Sequence, residues 1–330
     1  MLNKNAHLHK DTFSPEKLEK KSTRDGFGIG VVEAGKENEN VLVLCADLME
    51  STRSEDFYKT FPNRYIEMGV AEQNMAATAA GFALAGKIPF ITSYAAFSPG
   101  RNNEQIRTTI SIPKTNVKVC GMHAGISVGP DGATHQALED IALMRVQPNM
   151  TVLVPCDVEE ARKATLEAAR FEGPVYLRFA RANTSIFTTE KTPFTIGKGL
   201  VLWEGKNPKV AIVVTGSLAH SALLTAKHLA DAGIDTVVVH MHTVKPLDTK
   251  MLFELTKNVG AFVTVEEHQI AGGLGGAVAE YLGQVAPLPI EFVGVRDQFG
   301  QSGEPEELIE HYGMGVSHIE RAVRKALERI

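Results

Sequence analysis

Apolar runs of strand length recur along this chain with helix-length stretches between them, and that alternation restricts it to few folds. Val41–Cys45 (VLVLC), Tyr65–Val70, Pro89–Tyr94, Val117–Gly121, Thr151–Val154 and Val175–Phe179 are the strand candidates of a first series. Between them Gly26–Glu37, Glu72–Ala85 and Asp157–Arg170 read as helices. Gly86 is placed to end the second, and Asp157 to cap the third, whose first turn is acidic. A second series follows, with strands at Val210–Val214, Thr236–His240, Phe262–Glu266 and Ile290–Val295. Its helices are Ala219–Ala232, Thr249–Asn258 and Gly276–Gln284, and two more close the chain. Strands too apolar to face water on either side, separated by helices, predict mostly parallel sheets covered on both faces.

A chain of 330 residues is too long for one ordinary core. The texture changes at Asn183–Lys198, rich in Thr, Lys and Pro, which reads as a linker or edge hairpin. Two α/β domains are therefore expected, 23–190 and 191–330. Residues 1–22 are charged and aperiodic and are expected to form a flexible arm or a partner-facing segment. A net charge of -5 offers no basic excess for nucleic acid. With no leader-like or membrane-length apolar run, a cytoplasmic protein is expected. Cys45, Cys120 and Cys156 lie far apart, without metal-ligand spacing, and read as buried free thiols of a reducing compartment.

Several polar residues stand where structure alone does not need them. Glu72 falls where a strand hands over to a helix, the edge of an open parallel sheet where ligands bind. A lone Glu there usually balances the helix dipole. The segment GMHAGISVGPDGATHQALED is Gly-rich after a strand, letting backbone approach a ligand, and could converge His123, Asp131 and His135 as hydrogen-bonding or proton-transfer groups. Ordinary turn residues in a solvated loop are the alternative. In SYAAFSPGRNNEQIR, small residues beside Tyr94 and Phe97 could form a slot for a flat ring, or the aromatics could be plain core. Arg24, Ser51 and Arg181 each lie at the edge of an element and could fork around a phosphate, although each alone reads as a surface residue. The glycines of EEHQIAGGLGGAVAEYL lack dinucleotide spacing and are better explained by close helix–sheet packing.

Taken in order, STRDGFG, ADLMEST, RYIEMGVAEQNM, SYAAFSPGR, GISVGPDGATHQALEDIALMR, FARANTS and VTVEEHQIAGGLGGAVAE resemble segments of transketolases. The likeness runs from about Ser22 to the end and covers the C-terminal half of that family, its pyrimidine-binding domain and terminal domain. It is similar above all to the small subunit of split transketolases. The resemblance implies thiamine diphosphate chemistry, with the Glu72 carboxyl hydrogen-bonding the aminopyrimidine nitrogen and a two-carbon ketol unit passing from a ketose to an aldose. It further implies that Phe97 stacks on the pyrimidine, that Tyr94 forms a second wall, and that Asp47 and Arg101 lie near the cofactor. His123, Asp131 and His135 would read sugar hydroxyls and the substrate entrance, with the two histidines in catalytic roles. Arg24, Ser51 and Arg181 would hold the sugar phosphate.

The family grips the diphosphate through a metal held by a G-D-G motif, and no G-D-G occurs here. No metal ligand is therefore expected in this chain. A large N-terminal subunit would supply the diphosphate site and its Mg2+ or Ca2+, in an assembly of two copies of each chain. An apolar surface around Glu72–Ala85 would be covered in that contact. Three other readings compete. The beta subunit of a 2-oxo-acid dehydrogenase decarboxylase has similar length, but DGATHQ and the Arg24/Ser51/Arg181 set favour a phosphorylated sugar. A deoxyxylulose phosphate synthase fits poorly with the missing cofactor half and with His123. A non-catalytic, partner-binding paralogue would not need Glu72 and all three loop residues.

Overall fold

The computed structural model describes all 330 residues. Its larger sheet has seven strands in the order Thr243–Lys245, Thr151–Leu153, Val175–Arg178, Lys118–Met122, Ile88–Tyr94, Val41–Cys45 and Tyr65–Glu67. Neighbours run parallel except Thr243–Lys245, which is antiparallel to Thr151–Leu153. The smaller sheet runs Ile290–Val295, Ala261–Gln269, Val210–Val214, Thr236–His240 and Leu200–Trp203, parallel but for the last strand. Every residue of Val41–Cys45, Lys118–Met122 and Val210–Val214 is buried, as expected of strands with helices over both faces. The two-domain α/β architecture follows from this pattern.

Thr243–Lys245 comes from beyond residue 190 yet closes one edge of the first sheet. Met75, Ile91 and Val119 of the first domain share one apolar cluster with Val213, Val239 and Phe262 of the second. The two domains are therefore packed through a common core rather than tethered by a linker. Part of Asn183–Lys198 is an edge strand, Asn183–Ser185 pairing antiparallel with Lys20–Ser22. No helix is long and apolar enough to cross a membrane, and all three cysteines are buried and unpaired.

The first 22 residues require a correction. Instead of forming a loose arm, they are laid across the second domain. Leu2 bridges to Trp203, the Asn3 amide donates to Leu202 O at 3.0 Å, and Phe13 meets the Trp203 ring edge-on at 5.7 Å. Ala6, Thr12 and Leu18 are buried, and His220 Nε2 bonds Thr12 O at 2.7 Å. The anchoring residues are single and irregularly spaced, so no period in the sequence announces them.

The glycine run after Ala261–Gln269 has its own occupant. Both oxygens of the buried Glu266 carboxyl accept backbone N–H bonds from the start of helix Leu274–Val285, Leu274 N at 2.7 Å and Gly275 N at 2.8 Å. The chain itself fills the place where a phosphate would sit on such a helix. Close packing is the right reading of those glycines.

Candidate active site

Glu72 opens the helix Glu72–Leu84 but does not cap it. Its carboxyl is 1% exposed and turns toward the end of strand Ile88–Tyr94. Oε1 accepts from Ser93 Oγ at 3.4 Å and Oε2 from Arg101 Nη1 at 2.6 Å, while Asn102 Nδ2 donates to the Glu72 carbonyl at 3.1 Å. A residue serving only the helix dipole would remain at its own N-terminus and in water. Burial of a carboxyl away from solvent is costly unless its oxygens are met, and here they are met by the end of the next strand and the loop that follows it.

Ser93 and Tyr94 are successive strand residues and so project to opposite faces. Tyr94 begins an aromatic wall. Its ring lies parallel to His123 at 4.1 Å and to Phe97 at 6.1 Å. His135 meets both aromatics edge-on, at 5.9 Å from Tyr94 and 5.4 Å from Phe97. The Arg101 guanidinium lies 4.6 Å from the Phe97 centroid. Glu72, Tyr94, Phe97, Arg101, His123 and His135 thus form one continuous chain of contacts, gathered from separate stretches of sequence.

Arg24 sits in the first turn of helix Thr23–Glu37, which is fixed by a capping box between Ser22 and Asp25. Ser22 Oγ donates to Ala180 O and Ala180 N to Thr23 Oγ1, so that helix start is stitched to the segment carrying Arg181. Arg24 Nη1 reaches Ser51 O at 2.8 Å and His123 Nε2 at 2.7 Å. Arg181 Nη1 donates to Val128 O at 2.9 Å. Burial, then Arg53 and Arg181, push the Arg24 guanidinium below its ordinary range against the pull of Asp25. This is a crowded cationic corner, and an anion placed there relieves the repulsion.

An arginine only donates, so His123 Nε2 must accept, which leaves the ring proton on Nδ1. Nδ1 is buried and has no partner. His123 is therefore a neutral imidazole with an unspent N–H donor. Burial first, then the charges of Arg24 and Arg181, push it down to about 3. Because the folded value lies below the ordinary 6.5, stability linked to this group is present at neutral pH and declines as pH falls from 6.5 toward about 3. In an NMR titration the His123 ring is expected to show no midpoint between about pH 5 and 8, the window of an unperturbed histidine. A midpoint there would contradict the assigned tautomer and environment.

The Gly-rich loop is also placed differently from expectation. Its glycines are approached by the second domain rather than left open for a ligand. At Gly125, φ is +94° and a Cβ would lie 2.3 Å from Glu267 Oε1; at Gly132, φ is +74° and a Cβ would lie 2.7 Å from Ser302 Oγ. Glu267 accepts from Ser127 N at 2.7 Å and Ser217 Oγ at 2.6 Å, and Gln136 Nε2 donates to Gln301 O at 2.9 Å. The second domain thus braces the segment that carries His123 and His135. Asp131 lies exposed on that segment, and its carboxyl joins no other member of the cluster. Asp47, at φ +59°, is exposed beyond strand Val41–Cys45, and only its backbone N–H is bonded, to Glu67.

Residues that the sequence reading passed over complete the support. Asp140 accepts from Tyr176 Oη at 2.6 Å and Arg178 Nε at 2.7 Å, all three buried. Arg178 Nη2 also donates to Ala137 O and Glu267 O. Burial pushes the Asp140 carboxyl up most strongly, but the charge and hydrogen bond of Arg178 together with His268 and Tyr176 hold it below the ordinary range. An apolar strand carrying an arginine, as VYLRF does, was the available signal. Ser93 and Asn102 gave none.

A concavity of about 470 Å3 beside Arg145, Lys245 and Glu280 shares no residue with the Glu72 cluster.

Residues 19–185 match the family model described as the transketolase pyrimidine binding domain, and 197–319 match the transketolase C-terminal domain. A protein of Methanocaldococcus jannaschii, named as a transketolase C-terminal section, is 41% identical over 94% of this chain and 97% of its own length. A Clostridium protein named as a 6-deoxy-6-sulfo-D-fructose transketolase subunit is 39% identical over 95% of this chain and 97% of its own. Among solved structures, a split-gene transketolase described as an inactive β4 tetramer superposes with a TM-score of 0.87 at 46% identity, covering 93% of this chain and 99% of that one.

Proposed function

The chain belongs to the transketolase family, and from that premise we propose that it is the small subunit of a split transketolase. It transfers a two-carbon ketol unit from a ketose phosphate to an aldose phosphate on thiamine diphosphate shared with a large subunit. The observation that carries this reading is the buried Glu72 carboxyl beside the Phe97 ring. A flat group bearing N–H donors, the Arg101 guanidinium, already meets both surfaces at once. The aminopyrimidine ring of thiamine diphosphate is likewise flat, and its ring nitrogen accepts from a protonated carboxyl or, once protonated itself, donates to the carboxylate, so the residues fit it. When bound, that cofactor supplies a nucleophilic carbon and an electron sink for carbon–carbon cleavage.

Within that site, Glu72 would hydrogen-bond the ring nitrogen, and Phe97 and Tyr94 would hold the ring. His123 Nδ1–H donates to a sugar hydroxyl, with His135 beside it at the mouth. Arg24 and Arg181, with Ser51, hold the terminal anion of the sugar. Phosphate is the anion proposed; the same cations would seat a sulfonate, the group on the ketose named for the Clostridium relative. The metal, Mg2+ or Ca2+, and the diphosphate grip are assigned to the large subunit, because this chain has no G-D-G. Two copies of each chain form the assembly, with the exposed Val70 and Leu84 flanking the covered helix. The names of full-length relatives as sections or subunits of transketolases support this over an oxo-acid decarboxylase subunit.

The test is reconstitution. Neither chain alone is expected to turn over xylulose and ribose phosphates, and the mixture with the large subunit is expected to do so. Turnover by this chain alone would reject the shared site. A mixture that acts on sulfonated but not phosphorylated ketoses would reject the substrate class.

A further inference from the structure

Of the side chains that hydrogen-bond Glu72, only Arg101 is charged. Ser93 and Asn102 are buried and fixed, whereas the Arg101 side chain is 46% exposed and reaches back from solvent to bond Oε2 at 2.6 Å. Its guanidinium lies over Phe97, the surface assigned above to the pyrimidine. A guanidinium and an aminopyrimidine cannot both occupy that space.

We infer that Arg101 is an internal occupant of the pyrimidine seat, holding Glu72 and Phe97 in the cofactor-free subunit and displaced when thiamine diphosphate binds. This rests on the transketolase reading and goes beyond it, since it makes Arg101 a competitor of the cofactor and not one of its ligands. The physical need is clear. A carboxyl at 1% exposure with only a distant serine hydroxyl would be poorly satisfied before the large subunit and cofactor arrive. A cation on a long, half-exposed stem meets that need and can still leave. Its departure returns the guanidinium to water, and the arriving ring takes over its place on the buried carboxyl. The Phe97 face also survives the exchange, covered first by a planar cation and then by a planar ring.

The consequence is a cost on cofactor binding. If the seat is free for only a fraction of the time, the observed dissociation constant is the intrinsic one divided by that fraction. Arg101→Ala in the assembled complex is therefore expected to tighten thiamine diphosphate binding by roughly three- to ten-fold, read by equilibrium dialysis with Mg2+ present. Arg101→Lys keeps the charge but cannot lie flat over Phe97, and should fall between Ala and wild type. Unchanged binding in both variants would overturn the inference, and weaker binding would make Arg101 a ligand of the cofactor. If wild-type and variant complexes alike bind no thiamine diphosphate, the transketolase reading itself fails and this inference with it. Should Arg101→Ala not assemble, the Lys variant decides between the same outcomes.

Discussion

Glu72→Gln in the assembled two-chain enzyme is expected to lower kcat for ketol transfer by roughly 10²–10⁴-fold, the range typical of a lost acid–base group. The substitution keeps the shape of the side chain, and its single oxygen can accept from Arg101 while the new NH2 donates to the Ser93 hydroxyl, so neither contact at this position need be lost. The helix Glu72–Leu84 is likewise unaffected, because the carboxyl does not cap it. Assembly measured by size-exclusion chromatography should match wild type. A large fall in turnover with an intact complex identifies the carboxyl as chemical, whereas near-normal turnover would remove it from the mechanism.

The second large effect concerns stability. Asp140→Ala is expected to destabilise the chain by about 3–5 kcal/mol, as is usual when one partner of a buried ion pair is removed. Arg178 would be left charged and buried, having lost the partner it meets at 2.7 Å. The same guanidinium holds Ala137 O and Glu267 O, so the segment bearing His123 and His135 should loosen. Urea unfolding of the chain gives the free-energy change. A loss below about 1 kcal/mol, the scale of an exposed pair, would mean that the pair is not the buried lynchpin drawn here. The linkage has a definite sign. Asp140 is held below its ordinary range, so its contribution is present at neutral pH and is lost as pH falls through the folded value.

Much of the fold was legible because the strands are buried on both faces. VLVLC, VAIVV and TVVVH are apolar along their whole length, and the structure places them in parallel sheets at the expected positions. Elements whose stability comes from elsewhere were not legible. Lys20–Ser22 and Thr243–Lys245 are three-residue edge strands that pair with distant partners, and nothing in their own composition requires a sheet. The N-terminal strap is the same case, held by scattered single contacts to the second domain.

The candidate site divides along the same line. The residues alone raised Glu72, Tyr94, Phe97, His123, Asp131, His135, Arg24, Ser51 and Arg181 as candidates, each with an ordinary structural alternative beside it, and the transketolase resemblance added Asp47 and Arg101 and favoured the functional reading. Neither could say which of them touch. That Arg101 lies over Phe97 and bonds Glu72, that Arg24 fixes the tautomer of His123, and that the second domain packs against Gly125 and Gly132 were decided only by tertiary structure. The physical reason is range. Periodicity and turn chemistry act over a few residues and leave a trace in the string. Ion pairs and ring contacts join residues dozens of positions apart, and are set by where the sheets and loops bring the chain back on itself.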